Sequence, residues 1–350
     1  MSRRKRIAVV LFQLGGPDSQ EAVEPFLYNL FCDPDIINFP GAFLARKALA
    51  RLISRTRSKT VRQHYAQIGG GSPIRRLTER QGAALQTALS QYLPARTIVA
   101  MRYWHPDTDE ALDALESEPY DELVLLPLYP HFSLATTGSS LKEWDRLFAL
   151  RRPAGSSSNR KLAVPEREGE EVPVHVIEHF FDHPDYVAAI VERINGVLGQ
   201  LPKSEKVHLV FSAHGLPLSL VAKGDPYPQH VQTTVQLVRQ LGSWRNPYTL
   251  CFQSRVGPQK WLRPSLLETV DHLASSGARS LLVIPISFLT EHIETLHEIN
   301  IEAREHAHAA GIKSFHVMPA LDDSPLLIRA LADLVFRAIG LRSGVATFAS

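Results

Sequence analysis

Short runs of apolar and β-branched residues recur along the chain, and amphipathic stretches separate them. The runs lack the apolar–polar alternation of half-exposed strands, which is typical of parallel strands covered on both faces. They are Ile7–Phe12, Thr97–Met101 and Leu123–Leu128 in the first half, and Val174–Ile177, Val207–Phe211, Tyr248–Phe252, Leu281–Ile286 and Ser314–Val317 in the second. The pattern predicts an α/β fold. An even division needs four strands per half, so we expect one further strand in the first half.

The stretches between these runs have helical periodicity. They are Leu77–Tyr92, Thr108–Glu118, Pro184–Leu198, Pro226–Leu241, Arg263–Ser276 and Ser324–Ile339. A weak internal echo favours two similar halves, because Val10–Pro17 resembles Val210–Pro217 and Leu123–Tyr129 resembles Leu281–Phe288. Two ordinary strand-to-loop transitions would also produce this echo. The hydrophilic stretch at 151–171 is the natural domain boundary or a surface insertion.

Length and composition allow two domains with ordinary cores, since the chain has 350 residues and 44% of them are hydrophobic. The two cysteines, Cys32 and Cys251, lie far apart, which fits a reducing compartment and excludes an all-cysteine metal site within one chain. The basic start followed by apolar Ile7–Leu14 runs into Gly15–Pro17 without a cleavage pattern, which favours a buried strand over a signal peptide. No apolar run has the length of a membrane span. We expect a cytoplasmic protein, at most peripheral to the inner membrane face.

Basic charge is concentrated in one segment. Residues 36–78 contain no Asp or Glu, and their basic residues are Arg46, Lys47, Arg51, Arg55, Arg57, Lys59, Arg62, Arg75 and Arg76. The formal net charge is +2, so the remainder of the chain carries 2 − 9 = −7. Such local charge indicates an anionic partner at that place and not a nucleic-acid-binding protein. The segment is either a core helix with a solvated basic face or an interfacial helix that meets anionic lipid and forms an apolar mouth.

Polar residues follow the carboxyl ends of the predicted strands. They are Gly15–Pro17, Arg102–His105, Tyr129–His131, His179, His214, Gln253–Arg255 and Glu291–Glu298. In open α/β sheets the ligand crevice lies outside those strand ends, so we expect these groups around one cleft.

His214 follows a buried strand and precedes a glycine that lets a ligand approach closely. A lone histidine is as often a structural hydrogen-bonding residue as a catalyst, but its place at a strand end favours function. A Ser–His hydrolase is disfavoured because Ser212 lacks the G-x-S-x-G elbow. The glycines of Gly15-Gly16 and Gly69–Ser72 match neither nucleotide-binding pattern, so they favour tight turns or a flat ligand close to the backbone.

The stretch Glu291–Glu298 is the richest in chemistry. On an α-helix Glu291, Glu294 and Glu298 fall at i, i+3 and i+7 and form one acidic face, with His292 beside it. A solvated surface is the ordinary explanation of such a run. Here it follows the apolar strand Leu281–Ile286, so the helix start points into the cleft. Carboxylates held together raise their pKa values or bind a cation, which suits transport of metal ions and protons.

A series of short stretches adds specificity to this picture. It comprises Leu14–Pro17, Tyr65, Ile68–Ile74, Arg102-Tyr103, Thr136–Ser140, Ser212–His214, Gly224–Gln229, Gln253–Pro258, His292–Leu296 and Ala332–Val335. In this order the stretches resemble the ferrochelatase family over nearly the whole chain. The resemblance implies two Rossmann-like domains, with parallel sheets flanked by helices and a porphyrin between them. We place the first domain at 1–165 with a porphyrin mouth at about 36–78, the second at 166–322, and a C-terminal helix at 323–350 that packs back on the first.

The resemblance also implies roles for matching positions. His214 and Glu294 match the catalytic and metal-binding pair that faces the macrocycle, and Glu291 and Glu298 match an acidic metal path. The matching substrate-binding positions are Leu14, Arg57, Tyr65, Ser72, Arg102, Tyr103, Trp261, Phe288 and His292. Among these, Arg57 and Ser72 match groups near the propionates.

The implied reaction is insertion of Fe²⁺ into protoporphyrin IX with release of two protons, the final step of haem synthesis, and we favour His214 as the base. Fe²⁺ is then a substrate and no cofactor is expected. Animal members carry a [2Fe–2S] cluster with one cysteine near Thr136. This chain reads Ser133-Leu134-Ala135 there, so we predict no cluster. Other expected partners are a membrane surface, through 40–55, and a handover partner from the preceding haem-pathway enzyme.

Alternative functions remain open from the sequence. A non-catalytic porphyrin or haem carrier would need the apolar pocket and Arg57 but not the acidic stretch. A cobalt or nickel chelatase for a more acidic tetrapyrrole would have more basic residues in the cleft and a histidine pair as ligands. The apolar residues Phe43-Leu44 and Leu49–Leu52 favour protoporphyrin IX, although coproporphyrin III is a further alternative.

Overall fold

The computed structural model describes residues 5–34, 42–151, 166–167, 170–254 and 259–341. Several features named above lie outside the described residues. These are Pro40-Gly41, the side chains of Phe43 and Leu44, Arg255–Pro258, most of 151–171, and the end of the C-terminal segment, 342–350.

The described strands and helices alternate through most of the chain. The strands are β1 (Ile7–Gln13), β2 (Ala95–Met101), β3 (Glu122–Pro127), β4 (Glu166–Arg167), β5 (Glu170–Glu171), β6 (Val174–Val176), β7 (Val207–His214), β8 (Tyr248–Gln253), β9 (Ser280–Pro285) and β10 (Ser314–Val317). The α-helices are α1 (Val23–Cys32), α2 (Ala42–Gln67), α3 (Ile74–Ser90), α4 (Thr108–Ser117), α5 (Ser139–Leu150), α6 (Pro184–Leu198), α7 (Leu218–Val221), α8 (Tyr227–Gly242), α9 (Leu266–Ser275), α10 (Arg304–Ala309) and α11 (Pro325–Ala338). Two π-helices, π1 (Leu134–Gly138) and π2 (Glu294–Ala303), precede α5 and α10.

Two four-stranded parallel sheets have the same topology. The first has the order β2-β1-β3-β6 and the second the order β8-β7-β9-β10, so the first strand of each half is central. A short antiparallel pair, β4 and β5, stands apart. Each pair of echoing stretches covers equivalent strands, β1 with β7 and β3 with β9. The prediction of an α/β fold with two similar halves is confirmed.

Both faces of each sheet are covered, as the unalternated apolar runs predicted. In β1, Val9 and Leu11 pack with Leu85 of α3, while Val10 and Phe12 lie in a separate cluster with α4 and α5. Every residue of β1, β3 and β9 is buried. Covered strands of this kind need no polar face, which explains why their sequences do not alternate.

Val174–Val176 belongs to the first sheet, so its assignment to the second half was wrong. This strand, β6, pairs in parallel with β3, where Leu123 faces Val174. Its three residues are only half-buried, and so short a run carries no signal of the sheet that it joins. It is the fourth strand that the first half lacked. The stretch at 151–171 therefore lies before the last strand of the first half, and we propose that the division between the halves falls after β6.

The C-terminal helix joins the two halves. Leu327 and Leu331 of α11 share one apolar cluster with Leu89 of α3 and Ile194 of α6. Because α3 belongs to the first half and α6 follows its last strand, α11 bridges a helix of each half. An ion pair joins Arg80 of α3 to Asp323, which precedes α11, with 2.6 Å between Nη2 and Oδ1.

Candidate active site

Three neighbouring strands bring the polar groups of the second half together. His214 ends β7 and faces Gln253, the last residue of β8, in the sheet register. On the other side of β7, Ser212 pairs with Pro285 at the end of β9. Because parallel strands end at one edge, the loop after β9 and the start of π2 lie against His214. The predicted gathering at the strand ends is correct for this half.

His214 and Glu294 form the centre of the site. The Nδ1 atom of His214 lies 2.8 Å from Oε2 of Glu294. The side chain of His214 is 39% exposed and that of Glu294 is 14% exposed. The imidazole therefore faces the cleft, with Nδ1 on the carboxylate and Nε2 turned away from it.

The electrostatics favour an imidazolium beside a carboxylate in this pair. Burial lowers the pKa of His214, but the charge and hydrogen bond of Glu294 outweigh burial, so the pKa is raised above its ordinary value. Burial also raises the pKa of Glu294, and the charge and hydrogen bond of His214, with the charge of His292, reverse this and lower it to about 2. Each group favours the charged form of the other.

A second carboxylate adjoins the pair. The hydroxyl of Ser254 lies 3.2 Å from Oε2 of Glu294 and is also hydrogen-bonded to Glu298. Burial and the negative charge of Glu294 raise the pKa of Glu298 to about 7. Burial raises the pKa of Tyr65 as well, and the negative charges of Glu294 and Glu298 add to this effect.

The helix that carries these carboxylates is a π-helix, which corrects the predicted α-helical acidic face. Glu294 and Glu298 share one side, since both contact Ser254. Glu291 precedes π2, where its carboxylate accepts hydrogen bonds from the Thr295 hydroxyl and from the Ala320 amide at 2.8 Å. The i→i+5 pattern of a π-helix changes the spacing on which the i, i+3, i+7 prediction rested.

Phe288 and His292 also border the His214–Glu294 pair. The Phe288 ring centroid is 6.1 Å from that of His214 and 4.5 Å from that of His292. His292 is buried, its Nδ1 lies 3.0 Å from the Thr290 carbonyl, and its Nε2 lies 3.9 Å from Oε1 of Glu294. Phe288 thus contacts both imidazoles, and the charge of His292 contributes to the lowered pKa of Glu294.

The first half contributes an apolar surface opposite π2. Tyr65 and Tyr103 are buried in one cluster, and Leu14 packs against it together with Ile293 at the start of π2. Leu14 follows β1, the strand equivalent to β7. The same topological position therefore supplies an apolar residue in one half and His214 in the other.

Arg102 and Tyr103 meet a buried carboxylate. Arg102 Nη2 and the Tyr103 hydroxyl each lie 2.7 Å from Oδ2 of Asp33, and the Ser139 hydroxyl lies 3.1 Å from the same oxygen. This network ties α1, the loop after β2 and α5 together. It gives both residues a structural role, and their contact with substrate stays a proposal.

The remaining substrate-binding candidates are Ser72, Arg57 and Trp261. Ser72 lies against Gly16, where an added Cβ would be 2.7 Å from its hydroxyl. Arg57 is exposed on α2, with its guanidinium carbon 5.7 Å from the Phe31 ring centroid. Trp261 is half-buried near Gly215.

Two histidines expected near the cleft contact α8. The Nε2 atom of His131 lies 2.9 Å from the Thr234 hydroxyl of α8, and the ring of His179 lies 5.1 Å from that of His230. Burial lowers the pKa of His131 to about 3, with a smaller effect from His230, so this ring is neutral. These histidines belong to the packing of α8 on the first half.

Sequence reasoning assigned no role to Ser254, Ser287 or Tyr227, which surround His214. Tyr227 and Ser254 stand in quoted family stretches, and Ser254 was also among the polar residues expected around the cleft. Ser287 had neither signal. Their importance depends on contacts between residues far apart in the chain.

Comparisons with known proteins give relatives of this chain. The family model described as Ferrochelatase matches residues 6–339. A ferrochelatase of a Nostoc species is 46% identical over 337 residues, which are 95% of this chain and 82% of that protein. The ferrochelatase of Geotalea uraniireducens is 46% identical over 336 residues, 96% of this chain and 98% of that protein. Among solved structures, SirB from Bacillus subtilis with Fe³⁺ is 12% identical, with a TM-score of 0.54 and 98% of both chains covered, a likeness that shows the fold alone.

Gly215 is predicted to be required for the geometry of the site. An added Cβ would lie 2.7 Å from the carbonyl oxygens of Gln253 and Ser254, so backbone must move. We expect Gly215→Ala to lower the free energy of unfolding by about 1–3 kcal/mol, as overpacking does, and to displace Ser254 from the carboxylates. Thermal denaturation and porphyrin turnover measure the two effects.

The matched control is Gly196→Ala on α6, where nothing lies within 4 Å of the added Cβ. It should keep turnover and raise stability by about 0.5–1 kcal/mol, because alanine is favoured within helices. Equal behaviour of the two variants would contradict the close-packing argument at Gly215.

Proposed function

The chain belongs to the ferrochelatase family, lyases that insert Fe²⁺ into a porphyrin at the final step of haem synthesis, and we propose that it acts on protoporphyrin IX through His214 and Glu294. The observation that supports these roles is the ion pair between them at the edge of the cleft. A neighbouring carboxylate, Glu298, has a pKa raised to about 7, and burial is the first cause. This arrangement offers a proton acceptor and oxygen ligands side by side.

The charge of the pair suggests an order of events. In the resting site His214 is the imidazolium partner of Glu294, so it cannot accept a proton. A ferrous ion that binds Glu294 replaces the imidazolium as counter-charge, which lowers the pKa of His214 and releases its proton. The neutral ring is then the base for a pyrrole N–H while the carboxylates hold the metal. Metal arrival thereby activates the base.

The glutamates of π2 suggest the route of the metal. Glu294, Glu298 and Glu302 recur at intervals of four, and Oε1 of Glu302 lies 3.5 Å from Nδ1 of His297. Oxygen and imidazole ligands suit a divalent ion that is held only briefly. Glu291, on the other side of the helix start, is an outlet for protons in this proposal.

The porphyrin would lie against the apolar groups of both halves. Leu14 and Tyr65 supply one wall, and Phe288 and Trp261 supply another near His214. A rigid pocket that holds the ring bent exposes the nitrogen lone pairs, a distortion supported by remote binding. Arg57, exposed at the rim, is the proposed partner of a propionate.

The carrier alternative has less support. A protein that only binds porphyrin has no use for carboxylates held near one another, because like charges in a partly buried site oppose folding. A variant without Glu294 distinguishes the carrier from the chelatase, since a carrier would keep its role without this residue.

The first test is anaerobic conversion of protoporphyrin IX and Fe²⁺ to haem, followed by absorbance. We expect His214→Ala and Glu294→Gln to lower kcat by about a hundredfold or more, as loss of an acid–base group does, while porphyrin still binds. His208→Ala on β7, whose ring bonds Thr249 away from the site, is the matched control and should keep turnover.

Turnover in both variants would contradict the assigned roles, and porphyrin binding without turnover in the wild type would favour the carrier. Coproporphyrin III in the same assay tests the substrate. Because the exposed mouth includes an apolar residue, Leu52, we expect protoporphyrin IX to have the higher kcat/KM.

The pH dependence follows from Glu298. A neutral carboxyl binds a cation poorly, so kcat/KM for Fe²⁺ should rise as the pH rises through about 7, where burial and Glu294 have placed the pKa of this group. Glu298→Gln should lower kcat/KM and remove this rise. Initial rates between about pH 6 and about pH 8 would measure it. If kcat/KM for Fe²⁺ still rises with pH in Glu298→Gln as in the wild type, the rise belongs to another titrating group.

We also propose that α2 contacts an anionic membrane surface. Ala48 and Leu52 are exposed on α2, and exposed Lys47, Arg51 and Arg55 lie along one flank of them. Interfacial helices combine apolar and basic residues in this way, and each basic residue near an anionic bilayer contributes about 1 kcal/mol. None of the described helices is long and apolar enough to span a bilayer. The contact that we propose is peripheral.

Sedimentation with phosphatidylcholine vesicles, with and without phosphatidylglycerol, tests this surface. We expect binding only to the anionic vesicles, weakened by salt and by Leu52→Glu, because both act on the same interface. Leu241→Glu, at a similarly exposed leucine of α8, is the matched control and should bind as wild type. Equal binding of the two variants would contradict a role for α2.

A further inference from the structure

The stretch Gly224–Gln229 has no role in the reaction described above, although it lies beside His214. It links α7 to α8, and its central residues Asp225 and Tyr227 are buried, with exposed fractions of 2% and 7%. A buried carboxylate and a buried phenol each need hydrogen-bond partners. The Tyr227 hydroxyl bonds to groups of the second half, beside His214, and the Asp225 carboxylate bonds to groups of the first half.

Tyr227 closes a ring of hydrogen bonds on the main chain of His214. The His214 amide donates to the Ser287 hydroxyl at 3.3 Å, and the Tyr227 hydroxyl donates to the His214 carbonyl at 3.0 Å. The two hydroxyls lie 2.7 Å apart. With Ser287 as the donor in that third bond, every proton is used once. Both polar groups of the His214 backbone are therefore held by Tyr227 and Ser287.

Asp225 holds the same segment to the first half. Its Oδ2 accepts hydrogen bonds from the Ser133 hydroxyl and the Leu134 amide, both at 2.8 Å. Its Oδ1 accepts the Tyr227 amide at 3.0 Å. Ser133 and Leu134 stand at the start of π1, after β3. One carboxylate thus joins the first half to the backbone of Tyr227.

We infer that Asp225 and Tyr227 form a clip that positions His214, and that Tyr227 and Ser287 are positioning residues for the reaction. This inference rests on the proposed role of His214 as the base. The clip fixes the backbone of His214 relative to π1 of the first half, while Glu294 fixes its ring. Together they determine where Nε2 meets the porphyrin.

The requirement for such a clip follows from the position of His214. It is the last residue of β7, so the sheet holds its backbone on one side only, and Gly215 follows it. A base must approach its proton within hydrogen-bond reach, and a misplacement of about 1 Å can cost about a hundredfold in rate. Hydrogen bonds at both its amide and its carbonyl keep the His214 backbone, and with it the Cα–Cβ bond, in one position, and the Glu294 carboxylate then orients the ring.

The test compares Tyr227→Phe with Tyr186→Phe. Tyr186 is also buried, and its hydroxyl donates to the Ile286 carbonyl at 3.1 Å, so each variant loses a hydroxyl that donates to a main-chain carbonyl. We expect Tyr227→Phe to lower kcat about tenfold or more, with KM for porphyrin and the dissociation constant for porphyrin unchanged. Tyr186→Phe should keep kcat, although both variants lose some thermal stability.

Ser287 and Asp225 test the two ends of the clip. Ser287→Ala should lower kcat as Tyr227→Phe does, and Ser287→Thr, which keeps a hydroxyl, should restore it. Asp225→Asn should reproduce the loss of kcat at unchanged porphyrin binding. Thermal denaturation of each variant shows whether it is folded at the assay temperature.

The outcomes separate this inference from the proposed function. An inactive His214→Ala beside a fully active Tyr227→Phe would overturn the clip alone. A fully active His214→Ala would overturn the role of His214 and the clip with it. Equal losses of kcat in Tyr227→Phe and Tyr186→Phe would show a general effect of stability and would also overturn the clip.

Discussion

The ion pair between His214 and Glu294 is the interaction on which the site depends. It joins the last residue of a central strand to the first residue of π2, two elements about eighty positions apart. Removing charges from water is costly, and only a close partner and further hydrogen bonds compensate. The parallel sheet supplies the proximity, because β7 and β9 end at the same edge. Ser254 and His292 supply the further contacts to the carboxylate.

Much of the fold was predictable because its sheets are buried on both faces. Continuous apolar runs identified β1, β3, β7 and β9, and the periodicity of Pro184–Leu198 gave the bounds of α6 as observed. The assignment of Val174–Val176 failed for a physical reason. A strand of three half-buried residues has little pattern, and only its pairing with β3 shows the sheet to which it belongs.

The site was predictable where a residue's position in the chain fixes its place in space. A residue after a central parallel strand must lie at the cleft, and this rule located His214. The rule failed for His131, since the loop that carries it turns towards α8. The π-helical spacing of Glu294 and Glu298 could not be predicted, because it depends on the surroundings of the helix and not on an apolar period. The ring formed by Tyr227 and Ser287 likewise exists only between distant segments.

The balance of charge explains why this arrangement is kept although it opposes folding. One imidazolium stands beside two carboxylates, and the site accommodates the second by raising the pKa of Glu298, through burial first and the charge of Glu294 second. A site selected for stability would replace that carboxylate with an apolar group. A divalent cation, however, compensates both carboxylates at once and leaves no need for the imidazolium. The site is therefore closer to electrostatic balance with the metal bound and His214 neutral, which is the state that the proposed mechanism requires.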